Sequence, residues 1–166
     1  MRPNLLRGMG VLCLVMATTS SQQVSGRSAA PNAVYRVGEI QAKLYYSNRG
    51  MFSANVIDNP RIVLWNVPIG EGTVGGPSDN TFLQVTVTGR AGVEPDSLTL
   101  HVVAYTREDT LVDEETDVGP MNARGNWYGG YWLYDTGCDT VVVAARLSGL
   151  GANSALKKII PFDCGD

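Results

Sequence analysis

The side chains able to do chemistry are few and scattered. His101 is the one histidine in the 166 residues, hence the one side chain whose ordinary pKa suits a general base near neutral pH. It stands in Leu98-Thr99-Leu100-His101-Val102-Val103, out of phase with Leu100 and Val102. That position reads as a surface or sheet-packing histidine rather than a catalytic one. Nucleophilic catalysis needs a nucleophile, a base and an orienting group, and no local motif supplies them. Zinc and copper need several His or Cys ligands, which a single histidine and three cysteines, Cys13, Cys138 and Cys164, do not provide. The glycine-rich stretch from Gly70 to Asn80 lacks G-x-x-x-x-G-K-[ST] and runs into a strand pattern instead of a helix, so it is not a phosphate loop.

Carboxylates remain. The segment Arg107–Gly119 crowds Asp109, Asp113, Glu114, Glu115 and Asp117 into what reads as an acidic loop. Calcium takes oxygen ligands alone, which makes Asp113, Glu115 and Asp117 candidate ligands, although the spacing is not that of an EF-hand. A solvated loop is the plainer expectation, and no other cofactor is expected. Paired carboxylates hydrolyse glycosides only when they flank a cleft. Glu71 and the Asp113–Asp117 cluster therefore leave a small secreted hydrolase as one alternative.

Aromatic residues give the most informative local pattern. Trp127, Tyr128, Tyr131, Trp132 and Tyr134 surround Gly129-Gly130. Successive strand residues alternate between faces, so Tyr131 and Leu133 are expected on one side and Trp132 and Tyr134 on the other. If one side enters the core, the other exposes Trp and Tyr, the usual anchors of protein interfaces. The same rings suit stacking on sugars. Trp65 closes the apolar run Ile62-Val63-Leu64 and is expected in the core.

These residues must be held by strands. Lysine is scarce (Lys43, Lys157 and Lys158) and glycine is frequent at 19 residues, a balance that favours strands and turns over long helices. Apolar residues alternate with polar ones along Val34–Val37 and Ile40–Tyr45. Shorter runs follow at Phe52–Ile57 and Arg61–Trp65. Phe82–Thr88 sets Leu83, Val85 and Val87 against Gln84, Thr86 and Thr88. The pattern returns at Ser97–Thr106, Tyr131–Tyr134, Thr140–Leu147 and Lys157–Phe162, with turn residues between. Many short strands with regular turns predict an all-β antiparallel β-sandwich. An immunoglobulin-like Greek key is the first expectation and a jelly roll or small barrel the second.

Residues 1–20 read as an export signal. Arg2 and Arg7 precede the apolar run Met9–Ala17, and small polar residues follow. The run is far short of the ~20 residues a bilayer crossing needs. Cleavage is expected between residues 17 and 26, with a retained N-terminal anchor as the alternative. Residues 21–33 read as a flexible leader and residues 34–166 as a single domain. After cleavage no apolar stretch is long enough to span a membrane. Loss of Arg2 and Arg7 leaves 11 of the 13 basic residues against 16 acidic ones, moving the net charge from −3 to −5. Such a balance gives no basic face for nucleic acid. Cys138 and Cys164, the two cysteines left in an exported chain, read as a disulfide joining the ends of the last two strands.

The sequence thus predicts an exported protein, periplasmic or extracellular, that does no catalysis. It would serve as an accessory or structural subunit, or as a protein-docking module, of an envelope or extracellular assembly. A carbohydrate-binding module using Trp and Tyr is the alternative.

Overall fold

A computed structural model describes residues 35–58, 78–134, 136, 139–152 and 154–162. Among these the regular structure is entirely strand: β1 (Arg36–Tyr46), β2 (Met51–Phe52), β3 (Asn80–Thr88), β4 (Thr99–Tyr105), β5 (Thr110–Asp117), β6 (Asn126–Leu133), β7 (Val141–Ser148) and β8 (Ser154–Ile160). They form two antiparallel four-stranded sheets, ordered β2-β1-β3-β6 and β5-β4-β7-β8. The fold is a β-sandwich, as expected. The signal, the leader, the Arg61–Trp65 run with Trp65, Glu71, Cys138 and Cys164 lie outside the described residues.

Period-2 alternation builds the core. Ile40, Ala42, Leu44 and Tyr46 of β1 point inward, as do Leu83, Val85 and Val87 of β3. Leu100, Val102 and Ala104 of β4 meet them from the other sheet, with Val141, Val143, Ala145 and Leu147 of β7. All belong to one cluster, so the two inner faces share a single core. Burial of each such Val, Leu or Ile side chain contributes roughly 1.5–3 kcal/mol.

The chain weaves between the layers. From β3 it crosses to β4, turns back through β5, returns to β6 beside β3, crosses again to β7 beside β4, and ends in β8. The start of β1 stitches the layers along one side. Tyr35 makes a parallel bridge with Ala152, and the Val37 amide donates to Ser154 Oγ at 3.0 Å. The register on β3 slips between Val37 and Glu39, where Gly38 sits close under Thr88: a Cβ there would lie 2.8 Å from Thr88 Cγ2. The bulge lets β1 leave one sheet for the other. Gly149 ends β7 at φ +116°, and a Cβ would stand 2.1 Å from the Ser97 carbonyl oxygen, so only glycine fits this turn.

Three expectations need correction. The acidic segment is not a loop, because Thr110–Asp117 is β5 and pairs with β4 along its length. Val112, Val118 and the half-buried Leu111 pack on the core, and that apolar minority is enough to dock an otherwise charged edge. The run Phe52–Ile57 yields only the two-residue β2. Beyond it the Ser53 and Val56 amides still donate to the Leu44 and Ala42 carbonyls of β1. The Leu44 and Ala42 amides, however, donate to Ser53 Oγ and Asn55 Oδ1 instead of to backbone, which ends the ladder. The aromatic strand also starts earlier than Tyr131, at Asn126.

Candidate binding surface

The outer face of the β2-β1-β3-β6 sheet carries a cluster of rings drawn from four strands. Tyr45 of β1 lies 5.1 Å from Phe52 of β2 and 5.5 Å from Trp132 of β6, centroid to centroid. Phe82 of β3 lies 5.6 Å from Phe52 and 5.1 Å from Trp132. Tyr134, just past β6, lies 6.5 Å from Trp132 with the ring planes 26° apart. The register sets this directly: Phe82 faces Trp132 across β3 and β6, and Tyr45 faces Phe52 across β1 and β2. Tyr45, Phe82 and Trp132 are half-buried by one another, whereas Phe52 and Tyr134 are 44% and 57% exposed. Gln41, Lys43 and Gln84 continue the same face beside the rings.

The Gly129-Gly130 pair makes room on both sides of β6. Gly129 points inward, where a Cβ would come within 3.1 Å of the Trp127 ring and of Tyr131 Oη. Gly130 points outward beneath the Phe82 ring. An alanine at either position would displace an aromatic side chain.

The base of the cluster is pinned by Asp79. Its Oδ2 accepts from the Ser47 amide at 2.5 Å, and its own amide donates to the Tyr45 carbonyl at 2.8 Å. The Ser47 backbone N–H, and then its hydroxyl, hold the Asp79 carboxyl below the usual carboxylate range.

Of the five expected binding residues, the surface receives three. Tyr128 is exposed, and Trp132 and Tyr134 belong to the ring cluster. Tyr131 does not belong: its ring is in the core, 4% exposed, and its hydroxyl lies 3.3 Å from Thr116 Oγ1. Burial pushes its phenol above the ordinary range, the Thr116 bond opposes that, and the Glu114 charge adds to it. Trp127 is also withdrawn, half-buried against the core. Both fall on the inward phase of β6. Tyr45, Phe52 and Phe82 were missed because they are distant in sequence from Trp132. A signal existed for Phe82, which shares the polar phase of β3 with Gln84 and Thr86.

The other sheet's outer face carries an open depression of about 350 Å³, lined by His101, Val103, Ala144, Arg146, Ala155 and Lys157 among others. His101 Nε2 lies 2.7 Å from Asp113 Oδ1. This pair could orient an imidazole, but the residues lining the depression include no hydroxyl or thiol. The calcium candidates Asp113, Glu115 and Asp117 alternate along β5, where the strand rise puts successive ones about 7 Å apart. Among the described residues no group of three or more His, Cys, Asp or Glu is placed to hold a metal ion.

No protein-family model matches the chain. A comparison with curated proteins gives no significant match. Among solved structures the chain is similar to a crystal structure titled "putative beta-galactosidase from bacteroides fragilis". That likeness has 16% identity and a TM-score of 0.36, and covers 48% of this chain and 13% of the other. Among the described residues no helix is long and apolar enough to cross a membrane.

Proposed function

We propose that the protein is exported to the periplasm or the extracellular space and acts there without catalysis. In this reading it is an accessory or structural subunit, or a docking module, of an envelope or extracellular assembly. It docks a protein partner through the outer aromatic face of the β2-β1-β3-β6 sheet. The observation that carries the reading is that cluster of five touching rings set against solvent. Ordinary sheets put polar residues on the solvated face, and a contiguous apolar patch rimmed by polar side chains marks an interaction site. The neighbouring ring planes are mostly tilted, by 43° to 73° across Tyr45–Phe52, Tyr45–Trp132, Phe52–Phe82 and Phe82–Trp132. A tilted set interdigitates with side chains better than it stacks on a flat chain of sugars.

The strand order supports an immunoglobulin-like Greek-key path, since β3 neighbours β6 in one layer while their successors β4 and β7 are neighbours in the other. A Cys138–Cys164 disulfide belongs to the same reading. It is supported by the hairpin whose register places Val141 opposite Ile160, because this brings together the chain ends that lead to the two cysteines.

Carbohydrate binding is the second reading, and one observation favours it. Trp132 and Tyr134 are within 26° of parallel, with Gln84 and Lys43 nearby on the sheet face. Co-purification from the native envelope separates the readings. A specific protein partner lost from Tyr134→Ala/Phe52→Ser, and kept by Lys157→Ala on the opposite sheet, supports docking. A partner retained by the double variant ends it, and binding to a glycan instead selects the second reading.

A further inference from the structure

Among the described residues the sandwich has four sheet edges, and three are guarded against pairing with a foreign strand. β2 is only two residues long. β5 carries Asp113, Glu114, Glu115 and Asp117, and β8 carries Lys157 and Lys158. Short length and charge are the usual protections of an edge. β6 has neither. It is eight residues long, Asn-Trp-Tyr-Gly-Gly-Tyr-Trp-Leu, without a charge or a proline, and it pairs with β3 with no register shift.

Its hydrogen-bond phase follows from the residues just before it. The Gly89 amide donates to the Gly125 carbonyl at 2.8 Å, and Thr88 stands opposite Asn126. In an antiparallel pair, bonded and non-bonded positions alternate. The odd-numbered residues of β6 therefore bond to β3, and the even-numbered ones direct N–H and C=O outward. Asn122 takes both groups of Asn126: its amide donates to the Asn126 carbonyl at 2.8 Å, and its Oδ1 accepts from the Asn126 amide at 3.1 Å. Beyond this cap, Tyr128, Gly130 and Trp132 present an unprotected ladder, to which no described residue bonds.

We propose that β6 pairs antiparallel with β6 of a second copy of this chain, about a twofold axis at Gly130. In that register Gly130 meets Gly130 of the second copy, and Tyr128 meets Trp132 of the second copy on either side. Tyr128, Gly130 and Trp132 each donate once and accept once. The two glycines bring no side chain of their own to the axis, and the flanking aromatic pairs are favourable cross-strand contacts. Such an interface is self-complementary, as a twofold contact must be. The charge pattern selects this edge: β5 against β5 would oppose acids, and β8 against β8 would oppose lysines. β6 meets its copy with no like charges. Pairing joins the two four-stranded sheets into one and places their aromatic faces side by side. The inference rests on the edge alone and holds whatever the aromatic face binds.

The test is sedimentation equilibrium of the full exported chain over a wide dilution series, with hydrogen exchange read at the β6 amides. The wild type should dimerise, and exchange at Tyr128, Gly130 and Trp132 should slow as concentration rises. Tyr128→Pro removes an outward donor while sparing the bonds to β3, and should weaken the dimer at least about tenfold. Tyr128→Lys adds charge to the edge without a proline and should act in the same direction, which covers any misfolding of the first variant. A wild type that stays monomeric, a dimer without protection of those amides, or a dimer unaffected by the folded variants would each overturn the proposal.

Discussion

The Phe82 ring lies across the backbone of Gly130, close enough that a Cβ there would stand 2.7 Å from its Cζ. One strand thus lends the next a side chain that it lacks, and the ring packs on the outer sheet face over Gly130 while reaching Trp132. Gly130→Ala should push Phe82 aside, cost about 1–3 kcal/mol through overpacking and reduce the near-ultraviolet circular dichroism of the cluster. Urea unfolding followed by both signals checks this. An unchanged midpoint with an unchanged spectrum would mean that the ring adapts without loss.

Alternation made most of the sandwich legible in the sequence. Leu83, Val85 and Val87 declare their face because Gln84 and Thr86 interrupt them, and the same logic split Tyr131 from Trp132. β5 was illegible because Asp113, Glu114, Glu115 and Asp117 outnumber its apolar residues. It is a strand through its pairing with β4, a tertiary cause that composition does not carry. The ring cluster was only partly legible for a related reason. Trp132 is visible in its own segment, but Tyr45 and Phe82 join it through register, which is set by whole strands rather than by local residues.

Tyr131 and Tyr134 are three residues apart and on opposite sides of the sheet. Tyr131→Ala removes a core ring and its hydrogen bond to Thr116, and should destabilise by about 3–5 kcal/mol. Tyr134→Ala removes a ring that is mostly in water, and should change stability by no more than about 0.5 kcal/mol. If the face docks a partner, the second variant should nevertheless lose capture of that partner. Thermal melts of both variants, with co-purification of the second, test the division.

Tyr131 also sets an alkaline limit. Its phenol titrates above the ordinary value of 10.0, chiefly because it is buried. A group held in its neutral form by folding contributes stability that is present below pH 10.0 and lost as pH rises through the folded pKa. Tyr131→Phe should therefore lower stability at neutral pH by about 1 kcal/mol for the lost hydrogen bond, yet decline less steeply above pH 10.0. Urea midpoints on either side of that pH measure both effects, and parallel alkaline slopes would contradict the assignment.

Asp79 acts at the other end of the scale. Its carboxyl is held below 3.8 by the Ser47 amide, so its contribution is present above pH 3.8 and lost as pH falls through the lower folded value. Asp79→Asn should be less stable than wild type at neutral pH, with the gap closing in acid. The carboxylate is exposed, so the gap is small. A gap that stays constant down to the acid limb would place the effect in packing instead of charge.

Thr81 is a core position where chemistry and environment disagree. Its side chain is fully buried on the inner face of β3, opposite Leu44 of β1 and Leu133 of β6. Among the described residues its hydroxyl finds no hydrogen-bond partner. A buried polar group left unpaired costs about 1–3 kcal/mol of desolvation, and valine has nearly the same shape without that group. Thr81→Val should thus stabilise the sandwich, by about 1 kcal/mol, with no change in the slope of unfolding against urea. The β-branched replacement also keeps the strand preference of the site. A destabilised Thr81→Val would show that the hydroxyl is satisfied in solution, and would move the weak point of this core elsewhere.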